Sequence, residues 1–295
     1  MRLSTVILPV YPWARGQEVW RRAEALGFHA AYTYDHLSWR SFRDRSWFGA
    51  IPTLTAAAVV TDHLRLGTLV TSPNFRHPVT LAKELMSLDD ISGGRLTVGV
   101  GAGGVGFDAD VLGQGPWTPT ERADRLDEFL PLLDTLLTQA STSQAGTYYS
   151  AEAARMIPGC VQRPRVPFVV AATGRRGLAL TARFGQGWVS YGSPGAAAET
   201  PVDEAPGVIE GQLDRLRMAC AQQGRDFDSI DKLLLQGSTA ERPLDSVDAF
   251  VDWAGRYQAL GLTELVVHWP VSDSVFDADP EVFERIAIEG LAQLP

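Results

Sequence analysis

Short apolar runs alternate with longer amphipathic runs along the whole chain. The apolar runs have the length of buried strands, and eight of them occur: Thr5–Val10, His29–Tyr34, Leu64–Thr71, Leu96–Val100, Pro167–Ala172, Gly187–Tyr191, Lys232–Gly237 and Glu264–Trp269. The longer runs have helical periodicity and cover residues 15–26, 50–62, 78–91, 121–138, 175–185, 208–223, 245–260 and 280–293. A strand followed by a helix, repeated eight times, is the pattern of a closed parallel barrel. We therefore predict an α/β fold, a (β/α)8 TIM barrel, with an open doubly wound sheet as the alternative.

No Pro-, Ser- or Gly-rich tract, internal repeat or block of like charge divides the 295 residues. That length suits one barrel of about 250 residues with added loops. We therefore predict a single domain over residues 1–295, with insertions after the fourth and sixth strands. The loop 193–207 is interpreted as the second insertion and not as a domain boundary.

Composition and charge argue against two classes of partner. Hydrophobic residues make up 45% of the chain and charged residues 21%, and the formal net charge is −9. A nucleic-acid backbone or an acidic membrane surface attracts a basic face, so neither is predicted as a partner. Lys83 and Lys232 are the only lysines. Contacts to anions are therefore expected from arginine, whose planar fork suits phosphate and carboxylate.

The sequence gives no sign of export or of a metal centre. The apolar start of the chain is too short for a secretory signal, and no apolar run reaches the roughly 18 residues of a membrane span. Cys160 and Cys220 show no pairing pattern, so a reduced, cytoplasmic protein is expected. Asp62 and His63 fall at a helix end on the face opposite the barrel mouth, and no cluster of ligands accompanies them, so no metal site is predicted.

One run, residues 76–104, places a helix, a turn and a buried strand in immediate succession. Leu81, Leu85 and Leu88 recur at helical spacing, and the pair of glycines 93–94 ends that helix. The strand that follows runs into the glycine-rich segment 101–104. Because backbone without side chains lets a flat group approach closely, this strand end is a candidate binding mouth.

The same run resembles the luciferase-like family of flavin- and F420-dependent oxidoreductases. Members carry a very similar H-P-x-x-x-A-K-x-x-x-x-L-D-x-x-S-G-G-R-x-x-x-G-V-G-x-G sequence. Residues 23–37 and 166–188 resemble further parts of the family in the expected order. The resemblance implies a luciferase-like TIM barrel with oxidoreductase activity.

Asp35 and His36 follow the second predicted strand, where a TIM barrel places its functional groups. An imidazole titrates near neutral pH, and an adjacent carboxylate can bias its charge. We therefore predict that His36 exchanges a proton with the substrate and that Asp35 assists it; a loop-closing hydrogen bond is the structural alternative. The resemblance supports the catalytic role and adds Trp39, because F420-dependent relatives often carry Asp-His with a tryptophan a few residues later.

The resemblance also implies which residues contact the cofactor. In many relatives the third strand carries a cis peptide behind the cofactor ring, and by alignment that bond is Leu69–Val70. Relatives use the loop after the fifth strand for the phosphate-bearing tail, and a helix N-terminus there offers free N–H groups; a plain glycine turn is the alternative. The expected cofactor contacts are Asp35, Leu69, Val70, Thr71, Ser72, Ala102, Gly103, Gly104, Ala172, Thr173, Gly174, Arg175, Arg176 and Ser190.

Two cofactors are compatible with the resemblance. FMN-dependent members activate oxygen and hydroxylate a substrate, whereas F420-dependent members move a hydride to or from C5 of the deazaflavin. The Asp-His-x-x-Trp pattern and the A-A-T-G-R-R-G loop favour F420. We therefore predict an F420-dependent oxidoreductase that reduces an activated C=C or C=N bond. The alternatives are an FMN-dependent monooxygenase served by a partner reductase and a non-catalytic flavin- or F420-binding barrel.

The substrate is predicted to be a small-molecule or peptide-like organic compound. F420-dependent sugar-phosphate dehydrogenases carry a glutamate where this chain has Gly104 and a lysine near the position of Pro194. Both charges are missing, so a sugar phosphate is not expected, and a larger apolar or amide-bearing substrate suits the mouth better.

Two further features follow from the resemblance. Residues 146–166 resemble an extra hairpin or lid that the family places between the fourth and fifth strands. Family members are commonly dimers, so a homodimer is expected.

Overall fold

The computed structural model describes residues 1–105, 108–192 and 200–294, and only the backbone of Ser238. The strands are β1 (Arg2–Val6), β2 (Ala30–Thr33), β3 (Arg65–Thr71), β4 (Leu96–Gly101), β5 (Ser141–Gln144), β6 (Ala151–Arg155), β7 (Phe168–Ala171), β8 (Gly187–Gly192), β9 (Asp231–Ser238) and β10 (Glu264–His268). The α-helices are α1 (Trp13–Ala25), α2 (Ala50–Val60), α3 (Pro78–Ile91), α4 (Pro119–Thr138), α5 (Arg175–Phe184), α6 (Ala205–Gln222), α7 (Val247–Ala259) and α8 (Pro280–Arg285).

Eight parallel strands of the described residues close into a barrel in the order β1-β10-β9-β8-β7-β4-β3-β2. Helices connect the successive barrel strands, as the alternating pattern predicts. The TIM barrel predicted from the sequence is therefore confirmed, and the open doubly wound sheet is excluded by the closure of β1 on β2.

The first strand lies earlier in the chain than the apolar pattern predicts. It pairs with β10 from Arg2 to Val6, whereas the prediction ran from Thr5 to Val10. Beyond Val6, the N–H of Ile7 still donates to the carbonyl of Tyr32. Pro9 has no N–H to extend the ladder, and its carbonyl accepts from Phe48 in the following loop. The apolar residues after Val6 therefore belong to the barrel mouth.

The last predicted helix, 280–293, is regular only as far as Arg285. A wider π-turn covers Ile286–Gly290, and a 3-10 turn covers Leu291–Gln293. The widened turn places Gly290 directly on the ring of Phe250, where an added Cβ would lie 2.6 Å from a ring carbon. The close contact between Gly290 and Phe250 therefore lies just beyond the end of the regular helix.

Two layers of apolar side chains form the core. Side chains along a strand alternate between opposite faces, so Val6, Tyr32, Val169, Leu233 and Val266 group together inside the barrel. Their sequence neighbours form a second, larger cluster with the surrounding helices. No helix in the described part of the chain is both long enough and apolar enough to cross a membrane.

Two polar side chains of the family-like run 76–104, Asp89 and Arg95, have a structural role. The buried carboxylate of Asp89 accepts hydrogen bonds from the N–H groups of Val161 and Gln162, at 2.6 and 3.0 Å. The guanidinium of Arg95 donates to the carbonyl oxygens of Ala58 and Leu64. These side chains tie the start of β4 to its neighbours, at the end of the barrel opposite the mouth.

The insertion after the fourth barrel strand is a hairpin formed by β5 and β6. Its turn is fastened to α4, because the carboxylate of Glu128 accepts hydrogen bonds from the N–H groups of Thr147, Tyr148 and Tyr149. Tyr149 also donates from its hydroxyl to the carbonyl of Pro73, 3.0 Å away. The turn of the hairpin thus packs against α4, and Tyr149 connects it to the loop after β3. Most of the insertion predicted after the sixth strand, residues 193–199, lies outside the described residues.

Candidate active site

The loops that follow β2 and β4 meet at an imidazole–carboxylate pair. His36 Nδ1 lies 2.8 Å from Asp108 Oδ2, and the other oxygen of Asp108 accepts from the N–H of Leu37, also at 2.8 Å. The Asp108 side chain is only 2% exposed and that of His36 14%. The pair can hold a proton in a fixed geometry, as general acid–base catalysis requires.

Asp108 was not predicted from the sequence as the carboxylate that lies against the His36 ring. Asp108 lies beyond the motif, in an irregular loop, and neither spacing nor hydrophobic pattern distinguishes it from Asp110. The only available clue is its place in a loop that follows a barrel strand, where catalytic groups collect.

Asp35 pairs with Arg76 and not with the neighbouring imidazole, which corrects the expectation that it biases His36. Its two oxygens accept from Arg76 Nη2 and Nε at 2.7 and 3.0 Å. Arg76 also reaches Glu84 at 3.2 Å. Burial disfavours the charge on Arg76, but the hydrogen bonds and charge of Asp35 outweigh it and raise the pKa of Arg76. Asp35 and His36 therefore have different partners, Arg76 and Asp108.

Trp39 lies within an aromatic cluster at the mouth. Its ring is nearly parallel to that of Trp47, with centroids 6.4 Å apart, and stacks on Phe276 at 5.5 Å. Trp47 Nε1 donates to the carbonyl of His36. The cluster buries Trp39 and supports the backbone that carries His36; direct contact between Trp39 and a substrate stays a prediction.

A second polar pair lies beside the first. The hydroxyl of Tyr34 lies 2.7 Å from His268 Nε2, and the ring of Phe276 stacks on His268 at 4.0 Å. Burial lowers the pKa of His268 to about 3, so this imidazole is neutral at ordinary pH. The two histidines at the mouth therefore have different partners among the described residues. His36 lies against the carboxylate of Asp108, and His268 lies against the hydroxyl of Tyr34.

The end of β3 carries buried polar atoms without partners. The Leu69–Val70 peptide is cis, as the resemblance implies, and the pairing of β3 with β4 shifts between Thr68 and Thr71. Among the described residues, no group hydrogen-bonds to Thr71 Oγ1, Ser72 Oγ or Asn74 Oδ1. Buried polar atoms are nearly always satisfied in proteins, so these three are natural contacts for a ligand.

The glycine-rich end of β4 lies directly beside these atoms. Gly103 has a φ of +73°, and an added Cβ would lie 2.3 Å from the Asn74 side chain. The next glycine, Gly104, faces open space, and its carbonyl accepts from Asn74 Nδ2 at 3.0 Å. Ala102 is partly buried against the core. The strand end is therefore open at Gly104, whereas Asn74 and Ser72 lie against Gly103; its role as a binding surface stays a prediction.

The loop between β7 and α5 presents the start of a helix at the mouth. Gly174 is the N-cap of α5 in extended conformation, and Ala172 and Thr173 precede it. Arg175 is exposed and has no ion pair with any described residue. Arg176 instead bonds to Asp124, at 2.7 Å, and to Asp127 on α4. Those hydrogen bonds, led by that of Asp127, raise the pKa of Arg176, so Arg175 is the better candidate for an anion.

Ser190 lies outside the mouth, contrary to its predicted role as a cofactor contact. Its hydroxyl donates to Gln212 Oε1 on α6 and accepts from the N–H of Gly192. The neighbouring Val189 belongs to the barrel interior, so alternation along β8 turns Ser190 outward. Its place at a strand end suggested a site role, but the direction of its side chain excludes one.

Comparisons with known proteins agree with this fold. The luciferase-like monooxygenase family matches residues 2–260. An F420-dependent glucose-6-phosphate dehydrogenase of Beutenbergia cavernae is 31% identical over 272 residues, which cover 90% of this chain and 73% of that protein. A 4-hydroxyprotoasukamycin monooxygenase of Streptomyces nodosus subsp. asukaensis is 28% identical and covers 85% of this chain and 67% of that protein.

Among solved structures, the F420-dependent tetrahydromethanopterin reductase of Methanopyrus kandleri superposes with a TM-score of 0.77. The superposition covers 100% of this chain and 99% of the reductase at 18% identity, which shows a shared fold. The chain belongs to the luciferase-like monooxygenase family. It is an oxidoreductase, as the resemblance implied.

Proposed function

We propose that this protein is an F420-dependent oxidoreductase that transfers a hydride between C5 of the deazaflavin and an organic substrate. The reaction we favour is the reduction of an activated C=C or C=N bond. The observation that carries the proposal is the meeting of the His36–Asp108 pair with unpartnered buried polar atoms at one barrel mouth. Relatives named as F420-dependent enzymes support the same choice of cofactor.

The residues at the mouth fit a flat tricyclic ring. Thr71, Ser72 and Asn74 offer polar atoms that nothing described satisfies, and a ring edge with alternating donors and acceptors suits them. Gly104 leaves open space beside them, and Gly103 lets the side chains of Ser72 and Asn74 approach the backbone closely. At the adjoining loop, the N-terminus of α5 and Arg175 suit the phosphate-bearing tail. Reduced F420, when bound, supplies the hydride.

The protein's own residues then position the reactants and move the proton. His36 faces the mouth with Nδ1 bound to Asp108, so any proton passed to the substrate leaves from Nε2. The aromatic cluster of Trp39, Trp47 and Phe276 excludes water from one side. The neutral His268 and the hydroxyl of Tyr34 hydrogen-bond to each other beside this cluster, where Phe276 stacks on His268.

The mouth suits a substrate without a phosphate group. Gly104 has no side chain, and the nearby histidine His268 is uncharged. The aromatic cluster of Trp39, Trp47 and Phe276 provides an apolar surface in place of charged side chains. We propose a small-molecule or peptide-like substrate with an electron-poor double bond and apolar or amide-bearing surroundings.

Fluorescence titration with F420 and FMN in parallel tests the cofactor. We expect saturable binding of F420 and clearly weaker binding of FMN. Arg175→Ala should weaken F420 binding by about tenfold, the loss of one exposed phosphate contact. Arg176→Ala is the matched control, and it should have a smaller effect because Asp124 and Asp127 already hold that guanidinium.

Turnover with reduced F420 and a panel of enones, imines and alcohols tests the reaction. Oxidation of the reduced cofactor by an enone or imine supports the proposal. FMN binding with oxygen consumption in the presence of a flavin reductase would instead identify a monooxygenase. F420 binding without turnover of any compound would favour a non-catalytic carrier.

A further inference from the structure

Both carboxylate oxygens of Asp108 contact the loop that follows β2 at the barrel mouth. Oδ2 faces His36 Nδ1 and Oδ1 accepts from the N–H of Leu37, each at 2.8 Å. Asp108 itself follows β4, whereas His36 and Leu37 follow β2. One buried side chain therefore fixes both the backbone and the ring of the loop that carries the imidazole.

This geometry dictates the protonation pattern of the ring. A carboxylate only accepts hydrogen bonds when ionised, so its partner Nδ1 must carry a proton. The neutral imidazole is then the Nδ1–H tautomer, with the lone pair on Nε2. When the ring gains a second proton, the same carboxylate stabilises the positive charge, as in hydrolases where a buried aspartate orients a catalytic histidine.

We propose that Asp108 is the positioning residue for His36: it holds the Nδ1–H tautomer, so that protons pass between the ring and the substrate only through Nε2. This inference rests on the proposed function. In the reduction direction, the Nε2–H bond breaks, a new bond to hydrogen forms on the substrate, and neutral imidazole remains. Bound reduced F420 would supply the hydride with its electron pair and would be left oxidised, so charge and atoms balance.

In the part of the chain that the structure describes, the other carboxylates nearby have different partners. Asp35 is adjacent in sequence, but both its oxygens accept from Arg76. Glu84 likewise contacts that guanidinium. Among the described residues, Asp108 is the carboxylate within hydrogen-bond distance of the imidazole.

Asp108→Asn is the informative variant, because the N–H of Leu37 fixes which way the new amide faces. Leu37 donates to Oδ1, so the asparagine must keep its carbonyl oxygen there and turn its NH2 group toward His36. That group donates, and the ring must then accept at Nδ1. The substitution therefore forces the opposite tautomer, Nε2–H, at almost unchanged volume.

Nitrogen-15 NMR of protein labelled at histidine reports the tautomer directly. The chain has five histidines, and the missing signal in His36→Ala assigns the one in question. We expect the Nδ1–H form in the wild type and the Nε2–H form in Asp108→Asn. An Nε2–H tautomer in the wild type, or no change in the variant, would overturn the proposal.

Kinetics provide the second readout. We expect kcat of Asp108→Asn to fall by about 10- to 100-fold while KM and the Kd for F420 stay within about twofold. Asp108→Glu should recover part of the loss, because it restores an acceptor for Nδ1. The control is Asp110→Asn, an exposed carboxylate in the same loop, which should behave as wild type.

The two readouts separate this inference from the proposed function. If no substrate is turned over, the proposed function fails, but the NMR experiment still decides whether Asp108 sets the tautomer. If turnover occurs and Asp108→Asn matches the Asp110→Asn control, the positioning role is contradicted and the oxidoreductase activity stands. If Asp108→Asn does not fold, the wild-type tautomer and Asp108→Glu remain decisive.

Discussion

Individual side chains in this protein have roles that their place in the family-like run does not reveal. Asp89 and Arg95 belong to the run, and both hold the barrel together far from the mouth. Asp108 lies outside it and contacts the imidazole. The difference is a matter of side-chain direction, which depends on tertiary packing and is not encoded in residue type or spacing.

Asp89 offers a test of that structural role. Its buried carboxylate accepts from the N–H groups of Val161 and Gln162 and from the Gln162 side chain. Asp89→Ala leaves these donors without an acceptor, so the free energy of unfolding should fall by about 3 kcal/mol in chemical denaturation. Asp90→Ala, at the exposed neighbouring position, should change it by less than about 0.5 kcal/mol. Equal effects would show that the hydrogen bonds to Asp89 contribute little.

His36 offers the corresponding test of catalysis. Removing a general acid usually lowers turnover by about 10²-fold or more, so His36→Ala should show that loss in steady-state kinetics. Its Kd for F420 in fluorescence titration should stay nearly unchanged, because the proposed ring contacts come from β3 and β4. Unchanged turnover would remove His36 from the mechanism.

At the level of helices and strands, hydrophobic periodicity predicts the barrel well and the edges of its elements less well. The eight barrel strands and the helices between them are recovered because burial on both faces gives a strong apolar signal. The predicted first strand runs past Val6 because Leu8 and Val10 are apolar for a different reason: they pack in the cluster inside the barrel. The hydrophobic pattern does not show the β5–β6 hairpin, because its strands are short and largely exposed. The family resemblance predicts a hairpin or lid over residues 146–166, and the observed strands, Ser141–Gln144 and Ala151–Arg155, begin earlier in the chain.

The candidate site, like the barrel, was predictable from the sequence only in part. The cis peptide at Leu69–Val70 followed from the family resemblance, and the glycine-rich end of β4 followed from the residues themselves. The outward turn of Ser190 and the pairing of Arg176 with α4 did not, because both depend on which neighbour a side chain meets. Residue type at a strand end therefore identifies candidates, and packing decides among them.

The attachment of the hairpin to α4 depends on Glu128, whose carboxylate accepts from three successive N–H groups of residues 147–149. Glu128→Ala should leave these amides open to solvent. We expect faster hydrogen exchange over residues 146–150 by mass spectrometry, with little change in the barrel strands. Glu152→Ala, on the exposed face of the hairpin, should leave the exchange rates as they are. Equally slow exchange in both variants would mean that other contacts hold the hairpin.

For the molecule as a whole, a buried carboxyl inside the barrel links stability to pH. Glu264 accepts from Ser4 and Tyr32 at 2.7 and 3.1 Å and is 2% exposed. Burial raises the pKa of Glu264, against the opposing effects of Ser4, Arg2 and Tyr32. The folded protein therefore keeps this proton to a higher pH than the unfolded chain. The associated stability is present below the unfolded pKa of about 4.3 and is lost as pH rises through the folded value.

Glu264→Gln removes this dependence, since an amide keeps the hydrogen-bonding shape without a charge. Between about pH 4.5 and pH 7, the free energy of unfolding of the wild type should fall relative to that of the variant. Denaturant titrations at both pH values measure the difference. Glu210→Gln, at an exposed position, should follow the wild type. A gap between wild type and Glu264→Gln that does not change with pH would contradict the raised pKa.

The closed barrel and the family match together describe an oxidoreductase of the luciferase-like family. The homodimer and the single domain over residues 1–295 stay predictions. A crystal structure of the complex with F420 tests the account most directly. We expect the deazaflavin ring against Leu69–Val70 and Gly103, polar contacts from Thr71, Ser72 or Asn74, and the Nε2 atom of His36 on the open side of the ring. F420 bound elsewhere, or a ring face closed off from His36, would contradict it.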